Sequence, residues 1–259
     1  MKERMYCYVG DLSGFRNIIL NLEYIDLGKR VQEWKDFIKS GVERFDLPRY
    51  NLVSDTVFAG AESNERGLVK LIAFSRFMLE KGIEKSFPIR GAISLGDVSW
   101  DKDIPFGKPL VNAYELAVNQ EWIGTSCDNG FYIPKRVWNF DILFAYPPPL
   151  KYSYRDGHLT MHPVVSWDVP PISKLIALVE LKGLTKEGEL WKWKLMNMVQ
   201  NTTSFSLFLK LAKAGLIKQK GRHGKMLNAI PETFPAYTPM EPIEYYINFL
   251  LESAEDHGP

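Results

Sequence analysis

Apolar residues change period along this chain, and the changes mark out its elements. Residues 4–11, ending Tyr8-Val9-Gly10-Asp11, are a short apolar run that stops at a carboxylate, which predicts a buried first strand. Ser13-Gly14 breaks it. Between 16 and 45, Ile18, Ile19, Leu22, Ile25, Val31, Trp34, Phe37, Ile38, Val42 and Phe45 recur near helical spacing. They predict a helix or a pair of helices, with Gly28 a break and Gly41 an end. Leu47-Pro48-Arg49 is a turn, and residues 50–54 and 56–61 read as two strands or one bent hairpin around Asp55. Ser63 or Asn64 caps a helix over 65–82 that Gly82 ends.

The next strand runs from Phe87 to Val98, and its glycines imply close backbone approach. A polar loop at 99–105 leads to a helix opened by Phe106-Gly107-Lys108-Pro109 and running to about Gln120. Phe131 to Pro134 and Phe140 to Ala145 are candidate strands. Tyr146-Pro147-Pro148-Pro149-Leu150-Lys151 is a stiff extended stretch. A hairpin through Arg155-Asp156-Gly157 joins Tyr152–Tyr154 to Leu159–Trp167. Beyond Pro170-Pro171 the texture is helical, over 172–217 and 240–253. The expected organisation is therefore a β/α core over 1–170 and a helical extension over 171–259.

Composition narrows the function classes. The 259 residues are 46% hydrophobic and 24% charged, an ordinary globular balance. A net charge of +1 gives no bulk electrostatic footprint for nucleic acid or an anionic membrane. No run reaches a membrane span, and the start carries no apolar signal region, so a soluble cytoplasmic protein is expected. Two cysteines, Cys7 and Cys127, form neither a disulfide scaffold nor a metal pattern. The four histidines are late and scattered, and no catalytic role is assigned to them.

The chemistry concentrates at Gly10-Asp11-Leu12-Ser13-Gly14-Phe15. A strand-end carboxylate beside the free N–H groups of a helix start suits a divalent cation and a polyphosphate. Alone, Asp11 also reads as a helix N-cap and Asp55 as a turn residue. Four blocks taken in order are more specific: that segment, then Leu52-Val53-Ser54-Asp55-Thr56-Val57-Phe58-Ala59, then Ile89-Arg90-Gly91-Ala92-Ile93-Ser94-Leu95-Gly96-Asp97-Val98. The last is Phe106-Gly107-Lys108-Pro109-Leu110-Val111-Asn112-Ala113-Tyr114-Glu115-Leu116. Strand–helix–strand–strand–helix–strand is a ferredoxin-like arrangement. With an acid on the first strand and another on the following hairpin, the chain resembles the class III nucleotidyl cyclase catalytic domain. The expected fold class is α+β, a βαββαβ core with a mainly antiparallel sheet flanked by helices. The Ala113-Tyr114-Glu115-Leu116 segment, the Pro-Leu-Lys stretch before a helical tail and a chain beginning at its first strand resemble the pyrimidine cyclases of Pycsar anti-phage defence.

That resemblance implies cyclic UMP or cyclic CMP made from UTP or CTP, with two divalent cations (Mn²⁺ or Mg²⁺). It implies that Asp11 and Asp55 bridge both ions, with the Leu12 carbonyl as an extra ligand. Ser13, Gly14 and Phe15 fall where the family's backbone amides hold phosphates; Arg16 follows them, and Lys151 aligns with a triphosphate-binding lysine. Where purine cyclases carry a base-reading Lys and Asp, this chain has Asn51 and Ile104, and Tyr50 beside Asn51 would shrink the pocket. The family's transition-state Arg falls on Glu115, and its Asn on Val111 or Asn112, so another cation must serve, Arg90 or Arg49. For Arg90 an ion pair with Asp97 or Glu115 is the plain structural reading. Family sites form between two catalytic domains, which implies a homodimer. The alternatives are a purine (adenylate) cyclase and a degenerate homologue that binds nucleotide without turnover.

Overall fold

The structure, a computed structural model, describes residues 2–13, 15, 19–20, 23–100, 104–120, 122–138, 142–146, 148, 150–151 and 162–167. In chain order they hold β1 (Lys2–Leu12), α1 (Tyr24–Arg44), β2 (Arg49–Val53), β3 (Thr56–Glu62), α2 (Glu65–Glu84), β4 (Ile89–Trp100) and β5 (Pro105–Phe106). Then follow α3 (Lys108–Asn119), β6 (Gly124–Cys127), a single 3-10 turn at Lys135–Val137, β7 (Leu143–Tyr146) and β8 (His162–Val165). One sheet runs β2-β3-β1-β4-β6-β8-β7, with β5 paired to β4 off that path. β1 is antiparallel to both β3 and β4, whereas β4 and β6 run parallel. The βαββαβ core expected from sequence is present, with β1 and β3 at its centre.

β1 is covered on both faces, which is why its sequence reads as one apolar run rather than an alternation. Tyr6, Tyr8 and Leu12 share a core with Trp34, Phe37 and Ile38 of α1 and Leu68, Leu71 and Phe74 of α2. Val9, one residue out of phase, packs with Ala113, Leu116 and Ala117 of α3. α1 presents Trp34, Phe37, Ile38, Gly41 and Val42 to the sheet, one helical stripe. α2 starts where Asn64 Oδ1 accepts the Gly67 amide at 2.9 Å. α3 starts after Gly107, whose φ of +156° and closeness to the Asp97 carbonyl leave no room for a side chain.

The glycines facing each other on β1 and β4 have a local cause. Gly10 pairs with Gly91, and the Tyr8 ring lies over both. A Cβ at Gly91 would sit 2.7 Å from Tyr8 Cε2 and 2.9 Å from Thr125 Oγ1. The close approach implied by the sequence is thus made by the chain's own tyrosine.

Several expectations change. α1 begins at Tyr24, after Glu23, and Phe15, Ile19 and Leu20 ahead of it are also helical, as a pair of helices would have it; Gly28 and Gly41, expected as a break and an end, both lie inside α1. α2 passes Gly82 and ends at Glu84; Gly82 is inside the last turn, its carbonyl taking the Phe87 amide at 2.6 Å. The expected strand at Phe131–Pro134 is irregular and leads into the 3-10 turn. The strand in that region is β6, Gly124–Cys127, fully buried and placed by its pairing with β4 rather than by its own propensity. Of the expected late hairpin, 162–165 is a strand that pairs with β7, and 152–160 lies outside the described residues. The helical extension over 171–259, and with it the boundary near 170, also lies outside them.

Gly91→Ala is expected to destabilise the fold by about 1–3 kcal/mol, because the added methyl must displace Tyr8 and Thr125 together. Urea unfolding reads this as a lower midpoint with an unchanged slope.

Candidate active site

Asp11 is the last residue but one of β1, 8% exposed. Its neighbours are set by register. It pairs with Thr56 at the start of β3 on one side and with Arg90 at the start of β4 on the other. The residue before Thr56 is Asp55, in the two-residue turn Ser54-Asp55 between β2 and β3. Ser54 takes a φ of 57° there, as a tight hairpin turn demands. The turn is tied to β1, since the Leu12 amide donates to the Asp55 carbonyl at 3.0 Å. Two acids remote in sequence therefore meet at one end of the sheet. Burial raises the Asp55 carboxyl above its ordinary 3.8, and the Asp11 charge adds to the rise.

Arg90 supplies the counter-charge. Its Nε donates to Asp11 Oδ2 at 2.8 Å, its Nη2 lies 2.7 Å from the same oxygen as an ion pair, and Nη1 donates to the Gln120 carbonyl at 3.2 Å. Thr56 Oγ1 donates to Asp11 Oδ1 at 3.4 Å. The ion-pair partner of Arg90 is thus Asp11, which corrects the expectation of Asp97 or Glu115. Asp97 is exposed at the other end of β4 and pairs with Lys2 at 2.8 Å, which lowers its pKa. Glu115 is exposed on α3.

The remaining candidates divide. Lys151 sits at the carbonyl end of α3. Its Nζ donates to the Val118 carbonyl at 2.7 Å and its amide to Asn119 at 2.9 Å. Arg90 and Lys151 thereby both cap the carbonyl end of α3, where the helix carries partial negative charge. The Ser13 amide is committed to the Pro88 carbonyl at 2.8 Å. Phe15 packs on the main core, and Gly14 and Arg16 lie outside the described residues. On β2, Asn51 pairs with Phe58 and so shares the face of Val9 and Asp11, whereas Tyr50 pairs with Ala59 and takes the opposite face. Asn51 Oδ1 accepts the Trp100 indole N–H at 2.7 Å, and that indole lies over Gly60. Arg49 pairs with Glu3 at 3.7 Å and lines an open cleft of about 550 Å³ with Arg4, Glu62 and Asn64, at the far end of β1 from Asp11. Asn112 donates to Asp128 at 3.3 Å, tying α3 to the loop after β6, and Val111 is exposed. Of the histidines, His162 is buried with Nδ1 3.0 Å from the Cys127 carbonyl. Sequence reasoning missed Thr56 and Gln120. Thr56 was findable as the residue after Asp55; nothing in the sequence pointed to Gln120.

Two carboxylates and a backbone carbonyl are hard oxygen donors, the kind Mg²⁺ and Mn²⁺ take. Asp11, Asp55 and Arg90 together carry one uncompensated negative charge. Among the described residues no group of three or more His, Cys, Asp or Glu side chains gathers anywhere. A cation held here would complete its shell with water or substrate phosphate, as Mg²⁺ commonly does.

No family model matches the chain, and no curated protein matches it. Solved structures do. The catalytic core of a rhodopsin-guanylyl cyclase with converted specificity, in complex with ATPαS, superposes with a TM-score of 0.50 at 11% identity, over 64% of this chain and 97% of that one. The guanylate cyclase domain of RhGC from Catenaria anguillulae, in complex with GTP, gives 0.49 at 11%, over 64% and 98%. The adenylyl cyclase CyaB from P. aeruginosa gives 0.47 at 15%, over 64% and 95%. The class defined by the architecture is the mixed α+β fold of nucleotidyl cyclase catalytic cores, a sheet flanked by helices. Among the described residues no helix is long and apolar enough to cross a membrane.

Because Asp55 binds its proton more tightly folded than unfolded, ionising it costs stability. That cost grows as pH rises through and above the ordinary carboxylate range. Asp55→Asn is expected to raise Tm at pH 7 and to flatten the decline in Tm from pH 4 to 7. Thermal unfolding across that range checks it; an unchanged or lower Tm at pH 7 counts against a cost of ionising Asp55 in the fold.

Proposed function

We propose that this chain is a divalent-metal-dependent pyrimidine nucleotide cyclase. It converts UTP, or secondarily CTP, to the 3′,5′-cyclic monophosphate and pyrophosphate, as a second-messenger synthase in anti-phage defence. The observation that carries the catalytic part is the meeting of Asp11 and Asp55, with Arg90 between sheet and helix, in a chain of cyclase fold. In the reaction the ribose 3′-oxygen attacks the α-phosphorus. The bond from that phosphorus to the bridging oxygen breaks, pyrophosphate leaves, and the 3′-hydroxyl proton passes to solvent.

Asp11 and Asp55, with the Leu12 carbonyl, would hold Mn²⁺ or Mg²⁺. When bound, these ions lower the cost of negative charge on the attacking and leaving oxygens. The cations proposed for the triphosphate are Arg90, Lys151 at the end of α3 and, from its place in the sequence alone, Arg16. The Gly14 segment is the candidate for backbone amides on the phosphates, the Ser13 amide being engaged with Pro88. The transition-state role passes to Arg90, since Glu115 is an exposed acid on α3.

The pyrimidine choice is supported by residue identity. Asn51 and Ile104 stand where the resemblance places polar purine readers. Bulk on the Asp11 face comes from Phe58 and from the Trp100 indole that holds Asn51, more than from Tyr50. A smaller ring suits that narrowing, and a buried polar reader left unpaired penalises the wrong base. A homodimer would supply the remaining contacts from its second copy. Glu115 also motivates a second reading, nucleotide binding without turnover.

The test incubates purified protein with each of the four NTPs and Mn²⁺. Cyclic UMP is expected as the main product, and Asp11→Asn or Asp55→Asn is expected to lower its rate by about 100-fold or more, the scale of losing a metal ligand. Product from ATP or GTP alone overturns the pyrimidine assignment. Nucleotide binding with no product from any of the four selects the second reading.

A further inference from the structure

The grip of Arg90 on Asp11 is poorly matched to a permanent structural pair. Nε donates to Oδ2 and Nη2 lies 2.7 Å from that same oxygen, while Oδ1 has the 3.4 Å contact from Thr56. This is not the parallel two-oxygen fork that makes Arg–carboxylate pairs strong. The third nitrogen, Nη1, rests on the Gln120 carbonyl. Gln120 is fully buried and fixed by its own side chain: Nε2 donates to the Gly91 carbonyl at 2.8 Å, and Oε1 accepts Trp122 Nε1 and Ser126 Oγ, each at 2.7 Å. Arg90 therefore has one rigid anchor and one exchangeable contact.

Resting on the cyclase reading above, we infer that Arg90 is an exchangeable counter-ion. It neutralises Asp11 while no cation is present, and releases the carboxylate to an incoming divalent ion while keeping its hold on Gln120. It then takes the polyphosphate as its new partner. A divalent ion arriving alone must break the Arg90–Asp11 pair and leave a guanidinium beside a second positive charge. Arriving with a triphosphate, it gives that guanidinium an anion. Metal and nucleotide then bind with positive coupling, and Arg90 is the residue that couples them.

Free Mn²⁺ measured by electron paramagnetic resonance tests this, with and without 3′-deoxy-UTP, which cannot cyclise, each titration read against the same Mn²⁺ and analogue without protein so that chelation by free nucleotide is subtracted. In the unsubstituted protein the analogue is expected to tighten Mn²⁺ binding by about 10- to 100-fold. In Arg90→Gln, Mn²⁺ alone is expected to bind about tenfold tighter, with the tightening by analogue reduced to a few-fold. Arg90→Gln that unfolds normally but binds Mn²⁺ no tighter overturns the exchange. A measurement without substitution guards against misfolding: the Arg90 Nε–H NMR resonance should leave its carboxylate-bonded position when Mg²⁺ and the analogue are added together, and a resonance that stays overturns the exchange. Turnover of UTP by the unsubstituted protein together with either negative result overturns the exchange alone, whereas absence of both Mn²⁺ and analogue binding in the unsubstituted protein overturns the cyclase reading itself.

Discussion

A carboxylate at the buried end of the central strand constrains everything around it. Asp11 is 8% exposed, and an ionised group so placed needs charge and hydrogen bonds to offset its lost hydration. The fold meets that need by register. Pairing β1 with β4 brings Arg90 opposite Asp11, and pairing β1 with β3 brings Thr56 to its other side. A slip of one residue in either ladder would turn Arg90 or Thr56 to the opposite face and leave the charge unpartnered. The apolar contacts of Tyr8, Val9 and Leu12 hold that register, so hydrophobic packing and site electrostatics enforce the same alignment.

The same constraint explains the strain near the site. Asp55 is held beside another acid by a turn whose preceding residue takes a left-handed backbone conformation. Neither feature favours folding. Both fit the cation-binding role proposed for the pair, and stability elsewhere in the core absorbs their cost. Behind the site, buried Gln120 joins β4, β6 and the end of α3 through its side chain and presents its carbonyl to Arg90. The rigid part of the site is thus the helix–sheet junction, and the adjustable part is the ion pair in front of it.

Length of pattern decided what could be read early. α2, with apolar positions on one stripe over twenty residues, and β4, long and β-rich, were legible within a few residues of their true bounds. The short β6, Gly-Thr-Ser-Cys, was not, because four buried residues carry no alternation and modest propensity. The Asp11–Asp55 pair was legible from four blocks in order, not from either acid by itself. The partner of Arg90 is not legible, because sequence shows which residues lie on a strand but not which cross-strand neighbour meets them.

What the sequence determined by itself is the alternation of strands and helices through α3 and the identity of the two acids, since period, glycine placement and residue order are local properties of the chain. What only the tertiary structure decided is which groups touch. Arg90 on Asp11, Gln120 beneath Arg90, Trp100 on Asn51 and Tyr50 on the far face all follow from ladder register, and register is settled by the burial of the whole sheet rather than by any one segment.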